Sequence, residues 1–503
     1  MSDYVLAMYD VRGKQKYIYR SRKLKEIQGG SLIIRDIFND HLYKAANTVS
    51  GATGDTIYRY KEGEPFSFDA FEKRMSEGKY IGEVVYDGGG NFFILYKDRD
   101  ICKKVTAEFT KQVLVHASTL KVICTFTDDV HRDDFEADRS ELYRRHRYDE
   151  AQMVSSVPYG TLPIVQVDPL TQMPLTGIAD NKADDDKKVT AENYAKYRKV
   201  VEYPADKKID EQVLDHIVTQ KGKESLLAIV YIDGNNMGAK VAAVNRGKKS
   251  YDDCVSNLRR FSDEIQKTFI DDRMAGIDRT IEKRTHEGKR RLVLGAGDEI
   301  TIICNARDAL NVAENYLEEL PDGYSSCAGI SIFHSHTPFS DAYRIAEECC
   351  ETGKKLMKEK AEKESGTAWR NACFIDFHFN QGAIGVSLDE IREHDNTADC
   401  SNPWLISGGD PEDKGIVTWQ KVSDAAEVLR LFGRTNSKGL LEAAIDGKAG
   451  LNMEIQRIRG HMSEENRKTL DGYKSLWDSD IFRELIIQMM PVYDIWFSEE
   501  VDA

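Results

Sequence analysis

Apolar positions along the chain follow one programme twice. Residues 4–10 read as a buried strand that ends at Asp10. Residues 226–232 read as another, which runs into Asp233-Gly234-Asn235-Asn236-Met237-Gly238. Helical spacing follows each strand: over 27–42 in the first case, and at Leu258, Phe261, Ile265 and Phe269 in the second. Each copy then reaches a strand–glycine turn–strand hairpin. The first hairpin, 84–96, turns at Gly88-Gly89-Gly90-Asn91; the second, 290–304, turns at Gly295-Ala296-Gly297-Asp298-Glu299. Gly295 and Gly297 permit the positive φ that such a turn needs. A unit built twice is the simplest account of this order.

The remaining pattern completes the architecture. Residues 51–80 read as irregular and polar, 105–122 as a helix and then a strand, and 128–149 as a charged surface segment. Residues 158–185 read as a connector rich in Pro, Gly and Asp, and 189–203 and 209–220 as helices. After the second hairpin come a helix (309–320), a strand (327–333), a helix (341–360) and a strand (372–379). The order over 226–379 predicts a ferredoxin-like, palm-type sandwich. Beyond 382, helical spacing recurs at 424–432, 439–445, 453–461 and 480–489. The expected fold class is therefore α/β (α+β), with two ferredoxin-like palm domains and a C-terminal α-helical domain. The expected domains are 1–130 (first palm, degenerate site), 131–220 (zinc-less connector with helices), 221–382 (second palm, catalytic hairpin) and 383–503 (helical).

At 503 residues the chain exceeds one ordinary core. Its net charge of -15 argues against non-specific coating of nucleic acid. No membrane-length apolar run or signal-peptide pattern is present, and the nine cysteines form no Cys-x-x-Cys pair, so a cytoplasmic protein with reduced thiols is expected. Adjacent Cys349 and Cys350 read as packing residues. From Arg12 to Lys25 seven basic residues occur with no acid. A solvated face is the default for such a run; the interleaved Tyr17 and Tyr19 keep contact with RNA or an acidic partner as a second reading.

The chemistry lies in the second copy. Asp298 and Glu299 at a hairpin tip repel each other unless a cation sits between them. A strand ending in Asp233 beside that tip is the carboxylate arrangement of two-metal nucleotidyl transfer. Magnesium, or manganese, needs only one or two carboxylates plus substrate phosphates. Either piece alone is an ordinary turn; their order and spacing favour the site. Nucleotide contacts are expected from Gly234, Asn235, Gly238, Gly295 and Gly297, with Lys354 and Lys355 reaching phosphate. The basic arm of Arg279, Lys283, Arg284, Lys289, Arg290 and Arg291 either meets a triphosphate or is a solvated helix end. The first copy has Gly90 and Asn91 where the second has its acids, which implies a structural or weakly nucleotide-binding site. His334 and His336 read as a polar turn rather than as metal ligands.

Taken in order, these motifs resemble the large polymerase-like subunit of type III CRISPR effector complexes. The likeness runs over about 1–380. It rests on Asp10 with Gln28-Gly29-Gly30-Ser31, on Asp87-Gly88-Gly89-Gly90-Asn91-Phe92, on Tyr231 to Gly238, on Gly297-Asp298-Glu299, and on Ser326-Cys327-Ala328-Gly329-Ile330 with Lys354. The resemblance implies conversion of ATP into a cyclic oligoadenylate or related adenylate signal, once a complex holds target RNA. It implies Asp233 and Asp298 as metal holders, Glu299 as their assistant, and guide or target RNA and other effector subunits as partners. Two residues depart from the family's turn: Ala296 replaces its first glycine and Glu299 its second Asp, as in diguanylate cyclases. His394-Asp395 is a lone dipeptide and no substitute for the family's nuclease motif, so a nuclease-free member is expected. No cysteine lies where the family binds zinc, so no zinc is expected. The competing readings are an inert RNA-placing scaffold and a diguanylate cyclase.

Overall fold

The computed structural model describes residues 4–21, 23–88, 91–153, 164–169, 171–179, 187–202, 217, 225–285, 290–363, 368–380, 386–395, 403–413 and 415–497. The helix expected over 209–220 lies outside them apart from Ile217, as do Arg22, Gly89, Gly90 and Lys289. Two compact units make up the chain. Unit 1 holds Met1–Glu211, Asn236–Ile270 and Ala296–Asp298; unit 2 holds Gln212–Asn235, Asp271–Gly295 and Glu299–Ala503.

Unit 1 contains β1 (Val5–Arg12), β2 (Ile57–Tyr58), β3 (Gly82–Gly88), β4 (Asn91–Tyr96) and β5 (Lys121–Phe126) in the order β2-β3-β4-β1-β5. Leaving out the edge strand β2, this is the strand order of a ferredoxin-like sheet. Seven of the eight residues of β1 are buried, because the strand is central and covered on both faces. Its helices are α1 (Lys14–Tyr19), α2 (Leu24–Ile37), α3 (Tyr43–Ser50), α4 (Phe68–Ser76), α5 (Arg99–His116), α6 (Phe135–Gln152), α7 (Ala191–Val201), α8 (Met237–Val244) and α9 (Tyr251–Gln266). Leu6 and Met8 pack with Phe71, Val85, Phe93, Leu142 and Leu258 in one cluster. Tyr9 instead meets Phe109 of α5 edge-on at 5.5 Å.

Several expectations change here. Residues 51–80 are not all irregular: Ser67 caps α4 by accepting from Ala70 N, and Phe68, Phe71 and Met75 supply its buried stripe. The charged segment 128–149 is largely α6, which turns Asp138, Leu142 and His146 inward. The connector holds a small ladder of β6 (Leu175–Ala179) and β7 (Lys187–Thr190). Helix α9, whose apolar stripe was assigned to the second palm, packs on unit 1, where Arg259 reaches the buried Glu83 at 3.1 Å. Tyr17 and Tyr19 are buried, which removes them as stacking surfaces for RNA. The nearby basic residues find local partners: Arg12 with Asp10 at 2.7 Å, Arg20 with Glu192 at 2.7 Å and Lys25 over Tyr197 at 5.7 Å. The glycines of Gln28-Gly29-Gly30-Ser31 serve helix packing. A Cβ on Gly29 would stand 1.8 Å from the Lys196 carbonyl oxygen, so only glycine lets α2 and α7 approach this closely.

Unit 2 contains β8 (Leu226–Gly234), β9 (Arg291–Ala296), β10 (Glu299–Asn305), β11 (Ser326–His334), β12 (Cys373–Asn380), β13 (Trp404–Ser407) and β14 (Val417–Thr418), ordered β14-β13-β12-β11-β8-β10-β9. The core order β11-β8-β10-β9 repeats β5-β1-β4-β3 of unit 1. In both units the first strand is central and antiparallel to its two neighbours. The helices are α10 (Asp272–Thr285), α11 (Ala309–Glu318), α12 (Phe339–Lys363), α13 (Leu388–His394), α14 (Trp419–Phe432), α15 (Arg434–Asp446), α16 (Lys448–His461), α17 (Glu464–Gly472), α18 (Lys474–Trp477), α19 (Asp480–Met489) and α20 (Tyr493–Trp496). The C-terminal segment is not purely helical, because β13 and β14 extend the sheet beyond β12. Its helices pack back onto that sheet: Trp404 Nε1 donates to Gln488 at 2.6 Å, and Trp496 Nε1 to the Ala306 carbonyl at 2.8 Å. Among the described residues no helix is long and apolar enough to cross a membrane.

Candidate active site

The site grows from the end of β8. Asp233 faces Glu299 on β10 and Cys327 on β11 in the strand register. Directly opposed residues point to one face of a sheet, about 5 Å apart at Cβ, so the two carboxylates are neighbours. The strand is then pinned by Asn235. Its backbone N–H donates to the Ser325 carbonyl at 2.8 Å, and its Nδ2 to the Ala372 carbonyl at 3.1 Å. Asn236 follows at φ 58, a left-handed conformation that Asn tolerates, and opens α8. Gly238 is exposed on α8.

The hairpin forms, with a tighter turn than expected: Gly295 lies within β9 and Glu299 begins β10. Gly297, at φ 64, and Asp298 make the two-residue turn between β9 and β10. Asp298 groups with unit 1, where its charge, after burial and Tyr143, Tyr60 and Asp87, helps raise the Tyr86 phenol. Glu299 groups with unit 2 beside Asp233.

Helix α12 supplies the third charged group, and its seating is set by small contacts. Gly329 lies under the Ala346 carbonyl, Tyr343 meets Tyr231 edge-on at 5.6 Å, and Cys350 Sγ lies 3.1 Å from the Cys327 carbonyl. These contacts define an inward stripe that continues to Lys354, whose ammonium is ion-paired with Asp233. Burial is the largest influence and works to lower the Lys354 pKa, but Asp233, Cys350 and Glu351 together outweigh it and the group is pushed up to about 12. The Tyr231 phenol is raised by burial first, then by Glu299 and Asp233, which marks the negative field of the pair. Lys355, one position on, is exposed and off the stripe.

Sequence reasoning missed Glu347, which shares that stripe. Burial raises its pKa, and Glu351, Glu348 and Asp233 add to the shift. The seven-residue spacing to Lys354 was the available signal. The basic arm is divided: Arg290 pairs with Asp278 at 2.6 Å, Arg291 is buried, and Arg279 and Lys283 are exposed. The His334 and His336 rings lie tilted to each other with centroids 5.1 Å apart, and His394 is exposed beside Asp395.

Among the described residues no group of three or more His, Cys, Asp or Glu side chains is gathered to hold a metal ion. The donor set at β8 is two opposed carboxylates. Hard oxygen donors of that number suit magnesium or manganese when substrate phosphates complete the coordination.

Unit 1 carries a corresponding arrangement with different charges. Asp10 faces Asn91 in the register, as Asp233 faces Glu299. His146, from the helix after β5, lies 3.0 Å from Asp10, and Arg12 closes on the same carboxylate. Asp10 thus faces a neutral amide, and its carboxylate is already occupied by Arg12 and His146.

No family model matches the chain, and no curated protein does. Solved Csm1-Csm4 cassettes are similar. The cassette in complex with pppApA is 12% identical, with a TM-score of 0.50 over 97% of this chain and 69% of that chain. The cassette with cA4 is 14% identical, with a TM-score of 0.48 over 97% and 70%. The cassette with one ATP is 14% identical, with a TM-score of 0.46 over 71% and 54%, so this chain spans about half of that one. At such identities the likeness is one of fold. The chain shares its fold with a chain of the Csm1-Csm4 cassette, in keeping with the resemblance carried by its motifs.

Proposed function

We propose that the chain is a metal-dependent nucleotidyltransferase of the palm type, which makes an adenylate second messenger from ATP in CRISPR-type defence. The observation that carries this is the opposition of Asp233 and Glu299, with Lys354 on the same side of the sheet. Asp233, Glu299 and, from the adjoining turn, Asp298 would hold magnesium or manganese. The bound ions would polarise the attacking 3′-hydroxyl and stabilise the departing pyrophosphate. Lys354 would offset phosphate charge, and Asn235 would keep the end of β8 fixed. The exposed Lys355, with Gly234, Gly238, Gly295 and Gly297, would line the approach to the nucleotide. Guide and target RNA and other effector subunits are the proposed partners, and a cytoplasmic setting the proposed location.

The test is mass spectrometry of products from mixed nucleotides with magnesium, with and without target RNA. An oligoadenylate made by the wild type and lost in Asp298→Asn, with the fold intact, is the expected result. A second reading, an inert scaffold, draws on Ala296 and Glu299 replacing the family's turn residues. No product under either condition would favour it, and a cyclic dinucleotide from GTP alone would favour a diguanylate cyclase.

A further inference from the structure

The pairing of Lys354 with Asp233 has consequences for how a cation enters the site, and the two units together show why. In both, a base on the helix after the fourth palm strand reaches the acid ending the first: His146 to Asp10 and Lys354 to Asp233. The charge around them differs. In unit 1, Asp10 is met by Arg12 and His146 and faces the neutral Asn91. In unit 2, Asp233 pairs with the single ammonium of Lys354 and faces the carboxylate-bearing Glu299. The Lys354 and Asp233 side chains are 12% and 24% exposed, so the pair is partly sheltered and within reach of a ligand.

We propose that Lys354 is an exchangeable counter-ion: it holds Asp233 until a divalent cation displaces it, and then transfers its ammonium to the triphosphate that arrives with that cation. This rests on the functional reading above. The exchange is balanced in charge. A metal–triphosphate brings a cation for Asp233 and an anion for Lys354, so opening the ion pair leaves neither group uncompensated. A free divalent ion brings only the first half and must compete with the ammonium. Lysine suits the role because its ammonium is a compact charge on a flexible stem. Arg12, by contrast, lies on the strand that carries Asp10, two residues away.

The inference predicts opposite effects on the two ligands. Manganese binding to the full chain would be followed by electron paramagnetic resonance without nucleotide, and binding of a non-hydrolysable ATP analogue by calorimetry with calcium present. Lys354→Met and Lys354→Gln are both made, so that one folded variant suffices. The expected result is manganese bound about tenfold or more tighter than by the wild type, since a neighbouring cation shifts a carboxylate's affinity by that order. The ATP analogue should bind about tenfold or more weaker. Unchanged or weakened manganese binding in a folded variant overturns the exchange and leaves Lys354 a phosphate ligand only. Manganese bound equally by wild type and Asp233→Asn, with or without the analogue, would instead overturn the cation site itself. The two failures are therefore distinguishable.

Discussion

A Cβ added to Gly329 would stand 1.8 Å from the Ala346 carbonyl oxygen, so β11 and α12 meet backbone to backbone. That contact fixes the height at which α12 carries Tyr343, Glu347, Cys350 and Lys354 over the sheet. Neither partner is a flexible side-chain end, so the helix itself must move to admit a methyl group. Gly329→Ala is expected to destabilise the protein by about 1–3 kcal/mol or more, the usual cost of overpacking, and to loosen the pairing of Lys354 with Asp233. Gly238→Ala is the control. It lies on α8 with open space at its Cβ position, and is expected to be neutral or to stabilise by up to about 1 kcal/mol. Thermal unfolding of the two variants measures the contrast.

The pair of Asp376 and Arg392 anchors α13 to β12. Two hydrogen bonds of 2.8 and 3.0 Å join groups that are 5% and 8% exposed. Arg392→Met leaves a buried carboxylate without its counter-charge and is expected to cost about 3–5 kcal/mol. Replacing both, as Asp376→Leu with Arg392→Met, should recover much of the loss. Denaturant midpoints of the single and double variants test this. A single variant as stable as wild type would contradict it.

His378 makes stability depend on acidity. Burial first, then the charge of Arg392, holds its pKa down to about 4, against the opposing pull of Asp376 and Asp395. A histidine whose folded pKa is depressed favours the fold while neutral. Its contribution is whole above the unfolded value near 6.5 and is lost as pH falls through about 4. His41 in unit 1 follows the same rule: burial and then His116, on which it stacks, lower it to about 4. Melting temperatures of wild type and His378→Gln, taken between pH 7 and 4, should converge as pH falls. Parallel curves would contradict the assignment.

The strands of the second palm were legible because alternation and glycine turns are local signals. Residues 226–232 became Leu226–Gly234, and the expected hairpin 290–304 became Arg291–Ala296 and Glu299–Asn305. The opposition of Asp233 and Glu299 follows once the strand order is right. The duplication was legible too: the register places Asn91 opposite Asp10 as Glu299 stands opposite Asp233. What could not be read was which sheet an amphipathic helix covers. The stripe of α9 shows that Leu258 is buried, but nothing local says that it packs among Val85 and Phe93. The role of Gly29 was equally hidden, because its reason is the backbone of Lys196, far along the chain. In α6 high charge masked a helix whose inward residues include Asp138 and His146, polar groups held by partners rather than by apolar contact. Short strands such as Val417–Thr418 carry too few residues for alternation to register.

The central claim is that Asp233 serves the transfer of a nucleotidyl group, and pyrophosphate release from ATP with magnesium and target RNA tests it most directly. Loss of an outer partner at a metal site costs about 10–100-fold, so loss of a direct ligand should exceed that. The account predicts steady release by the wild type and at least about a hundredfold less from a folded Asp233→Asn variant. Equal release from the two proteins would contradict it.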